Sequence, residues 1–130
     1  MKEKILVVDD EEDYLNLLRL ILLPEGFEVE TAVDGEEALE KLEKFNPSLL
    51  ILDVNLPKIN GYELCKKIRE EKRFAKLPII MLTVRSKEEE EAFGLEIGCD
   101  DYITKPFEPT ALVARVNAVL RRTKRKKGGA

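Results

Sequence analysis

Five side chains of this 130-residue chain have types that could share one piece of chemistry: the carboxylates of Asp9, Asp10 and Asp53, the hydroxyl of Thr83 and the ammonium of Lys105. Carboxylates held close together repel and raise one another's pKa unless a cation lies between them. Hard oxygen donors of this kind suit Mg²⁺, which accepts one or two carboxylates and keeps several waters. Each residue alone has an ordinary explanation. Asp10 or Asp13 could cap a first helix, Asp53 could cap a turn, and Lys105 could be a solvated surface charge. The set is informative because its five members fall at the ends of four separate apolar runs, Asp9 and Asp10 sharing one.

Other chemistries are excluded by what is missing. With no histidine anywhere, neither a Ser-His-Asp nor a Cys-His scheme can be assembled. Cys65 and Cys99 form no Cys-x-x-Cys pair, so a zinc site has no basis. They read as small buried thiols in a reducing compartment, with a disulfide between them left open.

The elements that must position the five residues follow from the apolar pattern. Lys4-Ile5-Leu6-Val7-Val8, Ser48-Leu49-Leu50-Ile51-Leu52 and Pro78-Ile79-Ile80-Met81-Leu82 are continuous runs that suit strands covered on both faces. Phe27 to Ala32 alternates and reads as a strand nearer an edge, and Tyr102-Ile103-Thr104 as a short fifth strand. Helical spacing links Tyr14, Leu17, Leu18, Ile21 and Leu22, then Ala38, Leu39 and Leu42, then Tyr62, Leu64, Cys65 and Ile68. A fourth stripe is Ala92, Phe93, Leu95 and Ile97, and a fifth is Leu112, Val113, Val116, Val119 and Leu120.

Strict β-α alternation implies an α/β fold: a doubly wound, five-stranded parallel sheet, (βα)5, with helices on both faces. In such sheets ligands bind beyond the carboxyl ends of the strands, where Asp9, Asp10, Asp53, Thr83 and Lys105 stand. One domain over 1–122 is expected, with 123–130 a basic tail or linker.

Net charge is −4, yet six of the 22 basic residues lie between Arg121 and Lys127, leaving 16 against 26 acidic residues before them, a balance of −10. An acidic body is a poor surface for nucleic acid. The basic run is better read as cations at a helix C-terminus followed by a solvated linker. No apolar run approaches the ~20 residues that span a bilayer, and the first residues do not form a secretory signal, so a soluble cytoplasmic protein is expected.

The order and spacing of these pieces resemble the receiver domains of bacterial response regulators (CheY-like) over almost the whole chain. The resemblance rests on Ile5 to Asp10, Leu50 to Pro57, Asn60 to Leu64, Ile80 to Thr83 and Gly98 to Phe107. It implies that Asp53 accepts a phosphoryl group from the phosphohistidine of a sensor histidine kinase. It further implies that Asp10 and Asp53 ligate Mg²⁺ directly, Asp9 largely through water, and Asn55 through its backbone carbonyl. Lys105 and Thr83 would bond phosphoryl oxygens, and a cis Lys105–Pro106 bond would aim the lysine inward. Signalling would then follow from Thr83 moving to the phosphoryl group and Tyr102 rotating inward, on a surface of the fourth helix, fifth strand and fifth helix.

Within the family, Gly94 to Gly98 and Leu112 to Arg122 look like the OmpR/PhoB-type branch of transcription factors. Those receivers dimerise through the same surface by cross-subunit ion pairs, a scheme that Asp100, Asp101, Arg115 and Arg122 fit. Glu91 and Ala111 depart from it, each replacing a charge of the usual pattern. Val84 and Arg85, beside Thr83, replace the small residues often found there. The last residues leave no room for a winged helix, so either a stand-alone receiver or one domain of a longer regulator is expected, with contact to nucleic acid only through a separate output domain absent from this chain. Two other classes stand further off. A haloacid-dehalogenase-type phosphatase needs a second carboxylate where Asn55 stands, and a flavodoxin-like electron carrier needs a phosphate loop where Asp9 to Asp13 would repel one.

Overall fold

A computed structural model describes residues 2–85, 88–89, 92 and 98–128, with the backbone alone over 124–128. The three continuous apolar runs become the three central strands: β1 (Lys4–Val8), β3 (Leu49–Asp53) and β4 (Ile79–Thr83). β2 (Glu28–Ala32) and β5 (Asp101–Thr104) take the edges, in the order β2-β1-β3-β4-β5 with every neighbouring pair parallel. β3 and β4 are buried at every position, as strands covered on both faces must be, whereas β2 leaves Glu28 and Glu30 in solvent.

Side-chain alternation divides the central strands between two cores. Leu6 and Val8 point to one face, with Ala38 and Leu42 of α2 (Gly35–Phe45) and Leu64 and Ile68 of α3 (Gly61–Glu70). Ile5 and Val7 point to the other, with Leu15 and Leu18 of α1 (Glu12–Leu22) and Leu112 and Val116 of the C-terminal helix (Pro109–Gly128). This is the doubly wound arrangement that the alternating pattern implies. The fourth stripe, together with Glu91, lies largely on 86–87, 90–91 and 93–97, outside the described residues.

Local chemistry sets the helix starts. Asp34 caps α2 by accepting from the Glu37 N–H at 2.8 Å, while Glu37 reaches back to the Val33 N–H at 2.9 Å. Asn60 caps α3 through the Glu63 N–H at 2.9 Å. α1 differs: its N-cap is Glu11, without a side-chain cap, so neither Asp10 nor Asp13 serves as one. The C-terminal helix continues to Gly128, past residue 122, so the basic run is helical backbone rather than an open linker over that length. Among the described residues no helix is long and apolar enough to cross a membrane.

Candidate functional site

The site forms where four strands end. Asp9 follows β1, Asp53 is the last residue of β3, Thr83 the last of β4, and Lys105 follows β5. Backbone bonds lock these ends together: the Val54 N–H donates to the Leu82 carbonyl at 3.0 Å, and the Lys105 N–H to the Thr83 carbonyl at 2.7 Å. The Lys105–Pro106 peptide is cis.

All four side chains are buried polar groups. The Lys105 Nζ donates to Asp9 Oδ2 at 2.8 Å and to Asp53 Oδ2 at 3.2 Å, tying strands β1, β3 and β5 at one point. The remaining carboxylate oxygens are used as well. Asp9 Oδ1 accepts from the Glu11 N–H at 2.9 Å, and Asp53 Oδ1 from the Asn55 N–H at 3.2 Å. Asp9 therefore shapes the start of α1 in place of an ordinary cap.

Asp10 is exposed at the mouth, and one carboxylate oxygen from each of Asp9, Asp10 and Asp53 lies within 4.8 Å of the others. A small hard cation could contact all three oxygens, so the donor set fits Mg²⁺. Asn55 is exposed in the turn after β3. Thr83 is almost wholly buried, and its hydroxyl accepts from the Arg85 N–H at 3.1 Å.

Electrostatics follow from this crowding. Burial and the neighbouring Asp9 push the Asp53 carboxyl from 3.8 up to about 6, against the opposing pull of Lys105 and the Asn55 N–H. Burial by itself would lower the Lys105 ammonium, but its bonds to Asp9 and its attraction to both carboxylates prevail, and its pKa goes up.

The turn carrying Asp53 is clamped by α3. A Cβ on Gly61 would lie 2.4 Å from the Asp53 carbonyl oxygen, so only glycine lets the helix start so close, and the Gly61 N–H donates to the Val54 carbonyl at 2.8 Å. Tyr14 also borders the site. Its ring centroid lies 4.0 Å from the Lys105 Nζ. Sequence periodicity assigned it only to the apolar stripe of α1, because spacing along one helix carries no information about a lysine 91 positions later.

Outside the pocket, Tyr102 is buried in the core on the α2 and α3 side. Asp100 and Asp101, fitting in type for contacts between subunits, are engaged within the chain. Asp100 pairs with Arg69 at 3.2 Å and accepts from the Ile79 N–H, while Asp101 pairs with Arg115 at 3.0 Å. Neither cysteine is in a disulfide, and burial pushes the Cys65 thiol up to about 11.

Comparison with known proteins agrees with this geometry. Residues 5–117 match the family described as the response regulator receiver domain, and the chain belongs to that family. It is 52% identical over 123 residues to the alkaline phosphatase synthesis transcriptional regulatory protein PhoP of Bacillus subtilis, covering 95% of this chain and 50% of that one. It is 51% identical over 124 residues to the phosphate regulon transcriptional regulatory protein PhoB of Rhizobium meliloti, covering 95% and 55%. The chain thus spans about half the length of these relatives, both of which are transcriptional regulatory proteins. Among solved structures, the chemotaxis response regulator CheY4 of Vibrio cholerae superposes with a TM-score of 0.87 at 35% identity, covering 92% of this chain and 99% of that one. A CheY-like receiver domain protein from Methanospirillum hungatei gives 0.88 at 32%, covering 97% and 99%.

Proposed function

We propose that Asp53 is the phosphoacceptor of a two-component signalling system, taking a phosphoryl group from the phosphohistidine of a sensor histidine kinase. One observation carries the reading. A carboxylate at the end of a central strand is buried beside a second carboxylate and within 3.2 Å of a buried ammonium, with a third carboxylate at the mouth.

In the transfer, an Asp53 oxygen forms a bond to phosphorus as the bond from phosphorus to the kinase's imidazole nitrogen breaks. The imidazole leaves with the electron pair and takes up a proton. A carboxylate is an adequate nucleophile because the phosphohistidine is already activated. The Lys105 ammonium moves a donor from the carboxylates to a phosphoryl oxygen, and the Thr83 hydroxyl bonds another. Asp10 and Asp53 would hold Mg²⁺ directly, with the Asn55 backbone carbonyl, and Asp9 largely through water. When bound, the ion offsets repulsion between an anionic nucleophile and an anionic phosphoryl group. The chain is then a switch that modifies itself, not an enzyme that turns over.

Phosphorylation brings a dianion with three acceptor oxygens to the end of β4. Thr83 moves toward it, and any rearrangement of Tyr102 begins from a ring that is already buried, at 6% exposure, and not from the outward position the resemblance implies. The altered surface would comprise β5 and the C-terminal helix, together with the helix expected over the fourth apolar stripe, which lies largely outside the described residues. Homodimerisation through that surface would require Asp100 and Asp101 to exchange their present partners, Arg69 and Arg115, for residues of a second copy. By analogy with PhoP and PhoB, residues 1–122 are the receiver and 123–130 lead to an output domain. That separate domain would contact nucleic acid, with the whole regulator in the cytoplasm beside its kinase.

The test is intact mass after incubation with acetyl phosphate or phosphoramidate and Mg²⁺. Wild type should gain one phosphoryl group, and Asp53→Asn none. Equal modification of both proteins would refute the assignment.

A further inference from the structure

We infer that Tyr14 is the positioning residue for the Lys105 ammonium, holding it by a cation–π contact while it exchanges one anionic partner for another; the inference deepens, and rests on, the role proposed for Lys105 above. Three observations converge on it. The Nζ lies 4.0 Å from the Tyr14 ring centroid, well inside the range of such contacts. The same ammonium is 2.8 Å from Asp9 and 3.2 Å from Asp53 in a residue only 7% exposed, so its attraction to the ring is weakly screened. The ring is in turn set by Phe107, two residues beyond Lys105, with centroids 6.1 Å apart and planes tilted by 51°.

Core packing does not explain where the ring lies. α1 buries Leu15, Leu18 and Leu22, and Tyr14 stands half-buried on the shoulder of that stripe. An aromatic face also has a property no carboxylate shares. It attracts a cation without a directional hydrogen bond and adds no negative charge to a pocket already holding three carboxylates. The ammonium can therefore pivot from Asp9 and Asp53 toward a phosphoryl oxygen while keeping contact with the ring. A carboxylate in place of Tyr14 would hold the lysine back.

Two readouts test this on the full chain. In protein containing ¹³C-labelled lysine, the Lys105 ε-methylene, assigned by its loss in Lys105→Met, should show an upfield ring-current displacement without metal. The displacement should persist in Tyr14→Phe and vanish in Tyr14→Leu. The rate of phosphorylation by acetyl phosphate with Mg²⁺ should fall about fivefold in Tyr14→Leu, a size a desolvated cation–π contact supports. Tyr14→Phe should stay close to wild type. Replacing Tyr14 by pentafluorophenylalanine, which keeps the ring's shape and reverses its quadrupole, should be as slow as Tyr14→Leu. An unshifted ε-methylene in wild type overturns the inference, as does a pentafluorophenylalanine protein as fast as Tyr14→Phe. Failure of wild type itself to take up phosphate would instead remove the function proposed above, leaving the resonance measurement to decide the role of Tyr14.

Discussion

Gly61 and Asp53 meet backbone to backbone: a Cβ on the first residue of α3 would fall 2.4 Å from the Asp53 carbonyl oxygen and 2.8 Å from the Val54 Cα. Both obstacles are main chain and cannot rotate away. Gly61→Ala should therefore push α3 off the turn, lowering stability by about 1–3 kcal/mol in urea unfolding. It should also shift the amide resonances of Asp53 to Asn55. An alanine variant with wild-type stability and unshifted amides would show that the helix start is not what aims Asp53.

Protonation of Asp53 gives a pH dependence whose sign is opposite to that of most carboxylates. Its pKa is raised in the fold, from 3.8 to about 6, so the folded chain holds this proton more tightly than the unfolded chain. The contribution to stability is fully present below pH 3.8 and is lost as pH rises through about 6, amounting to about 3 kcal/mol. Asp53→Asn should flatten this limb in metal-free urea titrations and stabilise the fold at pH 7. Magnesium affinity, measured by calorimetry, should weaken as pH drops below about 6 because protons compete for the same oxygen. Lys105, with its raised pKa, contributes stability below the ordinary lysine value and loses it at more alkaline pH.

Removing the ammonium leaves Asp9 and Asp53 buried side by side with no cation between them. Lys105→Met should cost about 3–5 kcal/mol at neutral pH and drive the Asp53 pKa higher still. Adding Asp9→Asn to Lys105→Met should recover much of that loss, since one of the repelling charges is gone. Thermal unfolding of the single and double variants, with and without Mg²⁺, measures the coupling. Additive effects would contradict it.

Arg69 should prove a stability determinant remote from the pocket. Its guanidinium donates to the Gly98, Phe74 and Leu77 carbonyls and to Asp100, joining the exit of α3 to the turn before β5. Arg69→Ala strands the partly buried Phe74 and Leu77 carbonyls and should destabilise by about 2–4 kcal/mol. Arg69→Lys should recover only part, because an ammonium cannot reproduce the planar fork. Equilibrium denaturation of the two variants distinguishes this from an ordinary exposed charge, whose loss would move stability by under about 1 kcal/mol.

The strands were readable because hydrophobic burial is written in residue type. Runs with no polar member, such as Leu49-Leu50-Ile51-Leu52, can lie only where both faces are covered, and that alone puts Asp53 at a strand end. Alternation of strand and helix then imposed parallel pairing and drew the acids and the lysine to one edge of the sheet. Strand ends were less legible: β3 and β4 begin at Leu49 and Ile79, one residue after the Ser48 and Pro78 that open the runs. The ion pairs of Asp100 and Asp101 also escaped, since a charged side chain suits an internal partner as well as a neighbouring subunit.

Composition and periodicity thus reached as far as properties that repeat along the chain: which segments are strands, which faces are apolar, which end gathers the charges. Contacts that depend on distance in three dimensions needed packing. They include the Lys105 bonds to Asp9 and Asp53, the Tyr14 ring against that ammonium, the closeness of Gly61 to the Asp53 carbonyl and the reach of Arg69 to Gly98. The reason is physical. Residue type sets what a side chain can do, but a cation–π contact, a hydrogen bond or a steric clash changes over a few tenths of an ångström, and that scale is fixed only when two cores close on both faces of one sheet.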